Sequence, residues 1–305
     1  MASGSKKVIW AALIGNSLIA ITKFVAATIT GSSAMFSEGV HSMVDTGNQV
    51  LLLYGLKRAA QPANEKFPFG HGKEIYFWSF VVAILIFAVG AGISIYEGVH
   101  HILHPEEITD PTINYIVLGL AMLFEGGALF FALTEFNKAR GTRRALEAVK
   151  QGKDPTLFVV LFEDSAAMLG LVIAFIGISL AQYTGQPWWD GVASVAIGGV
   201  LGMTAFWLAY ETKGLLIGER AEQSIVDGIK AIIAEEKGVI KANEVLTLHM
   251  GPEFILANIS LEFSDQLKTG ELENIIRNLD RMIKSQFPRV KRVFIEAEDH
   301  TPNKS

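Results

Sequence analysis

The chain has 305 residues, half of them hydrophobic, and a mean hydropathy of +0.35, an average that soluble domains of this length rarely reach. A net charge of −5 argues against a nucleic-acid partner, which would need a basic surface. The absence of cysteine excludes disulfides and thiolate metal sites, so any metal must be held by His, Asp, Glu or backbone oxygen.

In chain order, six apolar runs are long enough for membrane helices, at roughly 9–29, 33–56, 77–99, 114–134, 156–183 and 188–210. The first follows a short basic start and continues to Ile29 without a small-residue cleavage site, so it is expected to be a retained span. The connections divide by charge. One set carries Lys6, Lys7, Lys57, Arg58, Lys66, Lys73, Lys138, Arg140, Arg143, Arg144, Lys150, Lys153, Lys213 and Arg220; the other, "GSS", "YEGVHHILHPEEITDPTIN" and "YTGQPWW", has no Lys or Arg. The basic set marks the cytoplasmic side, which puts both termini in the cytoplasm and requires an even number of spans.

After the sixth run the text becomes mixed and charged. "AEQSIVDGIKAIIAEEKGV" has helical spacing, "NEVLTLHM" and "FILANISLEF" alternate as strands around a "GPE" turn, "GELENIIRNLDRMIKSQFP" is a second amphipathic helix, and "VKRVFIEAE" a third strand. The predicted organisation is an all-α six-helix transmembrane domain over 1–215 and a small α+β cytoplasmic domain over 216–305, two helices on a three-stranded sheet whose edges invite a second copy.

Several ionisable residues interrupt the apolar runs. His41 and Asp45, four apart in "SEGVHSMVD", share one face of span two and make half of a divalent-ion site; the competing possibility is a polar clamp between the two alone. Glu38 lies near the same face toward the outer end, within reach of water. Span five carries Glu163 and Asp164 side by side, about 100° apart on a helix, so that one of the two is the ligand facing the cavity. Glu125 in span four is a further buried acid, beside Gly126 and Gly127, which allow close approach of another helix. Lys23 in span one is expected to pair with one of these acids. Asp190 is expected to cap the start of its own helix. An intramembrane metalloprotease would need a two-histidine motif such as H-E-x-x-H, and the spans have no second central histidine.

The run "GSSAMFSEGVHSMVDTGNQ", then "FPFGHGKEIYFWS", an acidic fifth span and a small α+β tail together resemble the cation diffusion facilitator family, over about Lys7 to Glu298. "FED" in span five and "EGG" in span four are similar to the branch that includes a mitochondrial zinc exporter. The resemblance implies a transporter and not an enzyme: a homodimeric metal/proton antiporter that exports Zn²⁺ by alternating access, without a prosthetic group, with a metallochaperone-like (ferredoxin-like) tail that dimerises. The alternatives are a Mn²⁺, Fe²⁺, Co²⁺ or Cd²⁺ exporter of the same fold, or a non-transporting membrane metal sensor. The family's span-two ligands fall on His41 and Asp45, and the second span-five ligand on Asp164. The first falls on Val160, which cannot ligate, leaving Glu163 to supply the missing oxygen. His71 matches a loop histidine that binds a second metal in some relatives, although the neighbouring ligand positions are Asn64 and Phe67. Lys73 is placed to pair with an acid after span six such as Glu219. Tail metal positions in relatives fall near Ser260, Glu296 and Glu298, close to His249. His100, His101 and His104 are read as a solvated outer helix end. The expected location is a prokaryotic inner membrane.

Overall fold

A computed structural model describes residues 3–108, 110–140 and 155–298. Arg143, Arg144, Lys150 and Lys153, part of the basic set, lie outside the described residues. The architecture is mostly helical with a small terminal sheet, as expected from the two textures of the sequence. Among the described residues six long helices occur in order: α1 Ser3–Thr30, α2 Ser33–Ala59, α3 Glu74–Leu103, α4 Pro111–Arg140, α5 Pro155–Thr184 and α6 Trp188–Ile217. Each contains one apolar run and most extend beyond it, because helical hydrogen bonding continues into the polar flanks after the apolar stretch has ended.

Four of these helices are long and apolar enough to cross a membrane by length and composition, namely α3, Pro111–Lys138 of α4, Phe158–Thr184 of α5, and α6. In α1 the stretch Asn16–Thr30, whose side chains are described, is apolar. Helix α2 is less apolar because it carries Glu38, His41, Asp45 and Asn48, all but Asp45 buried. The bundle is apolar on the outside: Leu123, Phe130 and Phe206 are each about three-quarters exposed, at 75%, 74% and 74%. Such a surface suits lipid. The polar residues are on the inside, and the chain is a multi-pass membrane protein.

Tight turns join α1 to α2 and α5 to α6, with Gly31 and Gly185 at φ +73° and +67°, where a side chain would be strained. Helices α3 and α6 meet through glycines. A Cβ at Gly98 would lie 2.6 Å from the Val195 backbone nitrogen, one at Gly191 2.9 Å from the Ile102 nitrogen, and one at Gly198 3.0 Å from the Ile95 nitrogen. Only small residues permit this backbone-to-backbone approach. The middle of α3, Ile86–Ala91, is a π-helical turn, and Ala91 within it lies against Gly198 and Gly202 of α6.

The chain divides into two compact units, residues 1–57 with 77–213, and residues 58–76 with 214–305. The second unit contains α7 Gln223–Glu235, β1 Val239–Gly251, β2 Phe254–Phe263, α8 Thr269–Gln286 and β3 Val290–Ala297. The sheet order is β1-β2-β3. The short turn makes β1 and β2 antiparallel, and the intervening α8 makes β2 and β3 parallel. Alternation along β2 sends Ile255, Ala257, Ile259 and Leu261 into one core with Ile225, Ile229 and Ile233 of α7 and Ile275, Leu279 and Ile283 of α8. The opposite face carries the cross-strand row Leu246, Asn258 and Phe294, with Leu246 and Phe294 exposed.

The α2–α3 connection packs within this second unit. A methyl group at Gly72 would overlap the Met250 carbonyl oxygen, so the connection rests directly on the end of the β1–β2 hairpin. Lys73 Nζ lies 3.6 Å from the Cβ position of Gly218, beside Glu219.

Candidate functional site

The inner face of α2 carries a row of polar side chains. Glu38, His41, Asp45 and Asn48 recur at steps of three or four residues and so lie along one stripe. His41 is 2% exposed, and its Nδ1 stands 3.3 Å from Asp45 Oδ2. Asp45 is the group that meets Nδ1, while Nε2 of His41 and Oδ1 of Asp45 are buried without a hydrogen-bond partner. The two residues face each other as a clamp would, but that pairing leaves these two atoms without a partner. Buried polar atoms are normally paired, so two unpaired ones on adjacent turns indicate a place where something else binds.

Helix α5 supplies the facing acids. Glu163 is buried, and its Oε1 accepts a hydrogen bond of 2.8 Å from Asn48 Nδ2. Asp164 is half-buried. The Asp45 carboxylate is an electrostatic neighbour of both. Glu125 of α4 is buried and acts on Asp164 across the α4–α5 contact. Gly126 faces Met168 of α5, with a Cβ-to-Cε separation of 3.4 Å. Nothing lies within 4 Å of a Cβ at Gly127.

The four expected ligands therefore line one interior region without closing on each other. Among the described residues no three His, Asp or Glu side chains are grouped closely enough to hold one metal ion. Asn48, which the sequence reading passed over, takes up one Glu163 oxygen and links α2 to α5. Its position, three residues beyond Asp45 and seven beyond His41, was the available signal.

Three expectations need correction. Glu38 is not reached by water: its side chain is fully buried, and Oε2 lies 3.0 Å from Lys23 Nζ. Lys23 thus finds its acid, and also donates to Ser42 Oγ at 2.7 Å. Asp190 does not cap its own helix. Its carboxylate accepts from Ser32 Oγ at 2.7 Å and from the backbone nitrogens of Ser33 at 2.5 Å and Ala34 at 3.3 Å. It therefore caps α2 from α6. His101 is not part of a solvated end. It is buried with Nε2 3.9 Å from Asp190 Oδ2, whereas His100 and His104 are exposed.

His71 in the α2–α3 connection has both ring nitrogens engaged, Nε2 with Asn64 Nδ2 at 3.1 Å and Nδ1 with Glu74 Oε1 at 3.2 Å. Glu74 in turn accepts from Arg58 at 2.8 Å. In the tail, Ser260 donates to Glu298 Oε2 at 2.7 Å, and His249 is buried near the Gly251 carbonyl.

The model of the cation efflux transmembrane domain matches residues 9–217, from within α1 to the end of α6. The chain belongs to the cation efflux family. These are the cation diffusion facilitators, a family of transporters and not of enzymes. The chain is 32% identical to the mitochondrial proton-coupled zinc antiporter SLC30A9 of Homo sapiens, over 87% of its own length and 47% of the relative's. It is 28% identical to metal tolerance protein C4 of Arabidopsis thaliana, over 98% of its own length and 74% of the relative's. It is 23% identical to the manganese efflux system protein MneP of Bacillus subtilis (strain 168), over 97% and 96%. The chain thus spans about half the length of the first of these cation efflux relatives.

Proposed function

We propose that this chain exports a divalent metal ion, Zn²⁺, from the cytoplasm in exchange for protons, with His41, Asp45 and one or both of Glu163 and Asp164 as ligands. The observation that carries the reading is the His41–Asp45 pair, with its imidazole Nε2 and carboxylate Oδ1 left unpartnered and buried in a membrane bundle. Imidazole nitrogen with carboxylate oxygen is a donor set that suits zinc. Zinc is also the ion for which the relative SLC30A9 is named.

Ion binding draws α5 toward α2. Glu163 rests on Asn48; with the ion bound, Asp164 or Glu163 completes the shell with water. The ligands must be deprotonated to bind, so loading from one side and protonation from the other couple the two fluxes. Oxygen predominates over nitrogen in this set and a relative is named for manganese efflux, so Mn²⁺ is the second ion to test. The active form in this reading is a homodimer paired through the tail, where the open sheet face exposes Leu246 and Phe294, and it resides in a prokaryotic inner membrane.

The test is proteoliposome transport with a pH-sensitive dye inside, offering Zn²⁺, Mn²⁺, Fe²⁺, Co²⁺ and Cd²⁺ in turn. Zinc-driven proton movement should vanish in His41→Ala and Asp45→Ala and in at least one of Glu163→Ala and Asp164→Ala. If no ion moves the dye although the protein binds metal, the transport reading is wrong and the sensor reading replaces it.

A further inference from the structure

Lys23 and Glu38 are fully buried and have no role in the ligand set. Helix α1 runs outward to Thr30 and α2 starts at Ser33, so in the proposed orientation Glu38 lies about 7–8 Å inward from the outer end of α2, and His41 about 4–5 Å deeper. The two residues share a face. The pair thus sits between the proposed ligands and the outer side. Glu38 Oε2 is bound to Lys23, but Oε1 is buried without a hydrogen-bond partner. That free oxygen lies against Gly170 of α5, where a methyl group would overlap it. One carboxylate therefore meets both neighbouring helices, and only half of its acceptor capacity is used.

We propose that Lys23 and Glu38 form an ion-pair barrier on the exit side of His41 and Asp45, and that Glu38 exchanges the Lys23 ammonium for the departing metal ion. This rests on the export reading above. Three physical points support it. A buried ion pair is a poor way to hold two helices together, because apolar side chains of similar volume do so at least as well. Intramembrane ionisable residues that survive this cost commonly lie on ion pathways. A divalent ion at His41, one turn away, repels the Lys23 ammonium and attracts the same carboxylate, whereas an empty site leaves the pair closed. The barrier therefore opens in response to the ion it must release. Lys23 is a positioning residue in this scheme, and Glu38 a transient ligand. Glycine at 170 leaves the carboxylate room to turn.

The test uses the full chain, with Zn²⁺ as the probe, in two measurements: equilibrium binding to the purified protein in detergent, and initial zinc flux in proteoliposomes. The variants are Lys23→Met, Glu38→Gln, the double neutral Lys23→Met/Glu38→Gln, and the exchanged pair Lys23→Glu/Glu38→Lys. The double neutral variant buries no unpaired charge, so it reports function rather than misfolding. Its zinc affinity should stay within about threefold of wild type while its flux falls at least tenfold. Lys23→Met alone leaves Glu38 free to hold the ion, and should tighten binding at least threefold while slowing flux. The exchanged pair restores the ion pair but puts an ammonium on α2, and should bind and transport poorly. Wild-type flux in both the double neutral and exchanged variants would show the pair to be a clamp and overturn the proposal. If the wild type itself moves no zinc, the export reading fails first and the barrier falls with it, an outcome distinct from an active wild type with active variants.

Discussion

Replacing Asp190 tests whether the start of α2 is held from α6. The carboxylate accepts from Ser32 Oγ and from two backbone nitrogens of α2, at 2.7, 2.5 and 3.3 Å, and is fully buried. Removing a helix cap costs about 1 kcal/mol, and an unsatisfied buried donor costs about 1–3 kcal/mol. Hydrogen bonds between membrane helices average nearer 0.6 kcal/mol, with about 1.7 as the maximum. Three bonds at the membrane average give about 2 kcal/mol. Two strong bonds at the upper value, with the 3.3 Å bond adding little, give about 3–4. Asp190→Ala should therefore destabilise the bundle by about 2–4 kcal/mol, or about 30- to 1,000-fold in the unfolding equilibrium. Asp190→Asn keeps one oxygen for the two amides and turns its NH₂ toward Ser32 Oγ, which accepts as readily as it donates. Its cost should be under about 1 kcal/mol. Unfolding in mixed detergent and dodecyl sulfate micelles measures both, and a double-mutant cycle with Ser32→Ala isolates one bond. If Asp190→Ala unfolds at the wild-type dodecyl sulfate fraction, the cap across α2 and α6 contributes nothing and the reasoning fails.

Asn48→Ala releases Glu163 Oε1 and removes the α2–α5 hydrogen bond; zinc affinity, read by titration against a competing chelator, should change at least threefold, and an unchanged value would mean that Asn48 does not compete for Glu163. Gly72→Ala forces a methyl group into the Met250 carbonyl and should lower the stability of the second unit by about 1–3 kcal/mol with zinc affinity intact, which thermal unfolding followed on the tail would show. The chain has no cysteine, so engineered pairs can be oxidised cleanly. Ser37→Cys/Ser194→Cys joins α2 to α6 where the two hydroxyls touch, and should block transport until reduced. Equal flux before and after oxidation of this pair would rule out movement of α2 against α6.

What was legible in the sequence, and what was not, divides by range of interaction. The spans stand out because lipid demands long apolar runs, and the tail because periods of 3.6 and 2 alternate within it. The π-helical turn at Ile86–Ala91 leaves no trace, since it shifts hydrogen bonds without changing composition. His41 and Asp45 were visible as neighbours because four residues is one helical turn. Lys23 needed an acid, but the choice of Glu38 among several depended on how α1 lies against α2. Asp190 was assigned to its own helix because capping is a local rule, and its true partners lie 156–158 residues earlier in the chain. Asn48 escaped because an amide carries no charge penalty in the membrane, although it stood in the same stripe.

The helix contacts are of two physical kinds, and the difference bears on which helices can move. Helices α3 and α6 touch backbone to backbone at Gly98, Gly191 and Gly198, with separations of 2.6–3.0 Å from Cβ positions to backbone nitrogens. Such a contact has one good arrangement, because sliding by even one residue brings side chains into backbone. Helix α2 is held differently, by the Asp190 cap, the Ser37–Ser194 contact, the Lys23–Glu38 pair and the Asn48–Glu163 bond. Each of these is a donor–acceptor pair that can be exchanged for another partner, or for an ion, at little net cost. The helix that carries His41 and Asp45 is therefore the one whose restraints can be swapped individually, while the α3–α6 contact resists sliding.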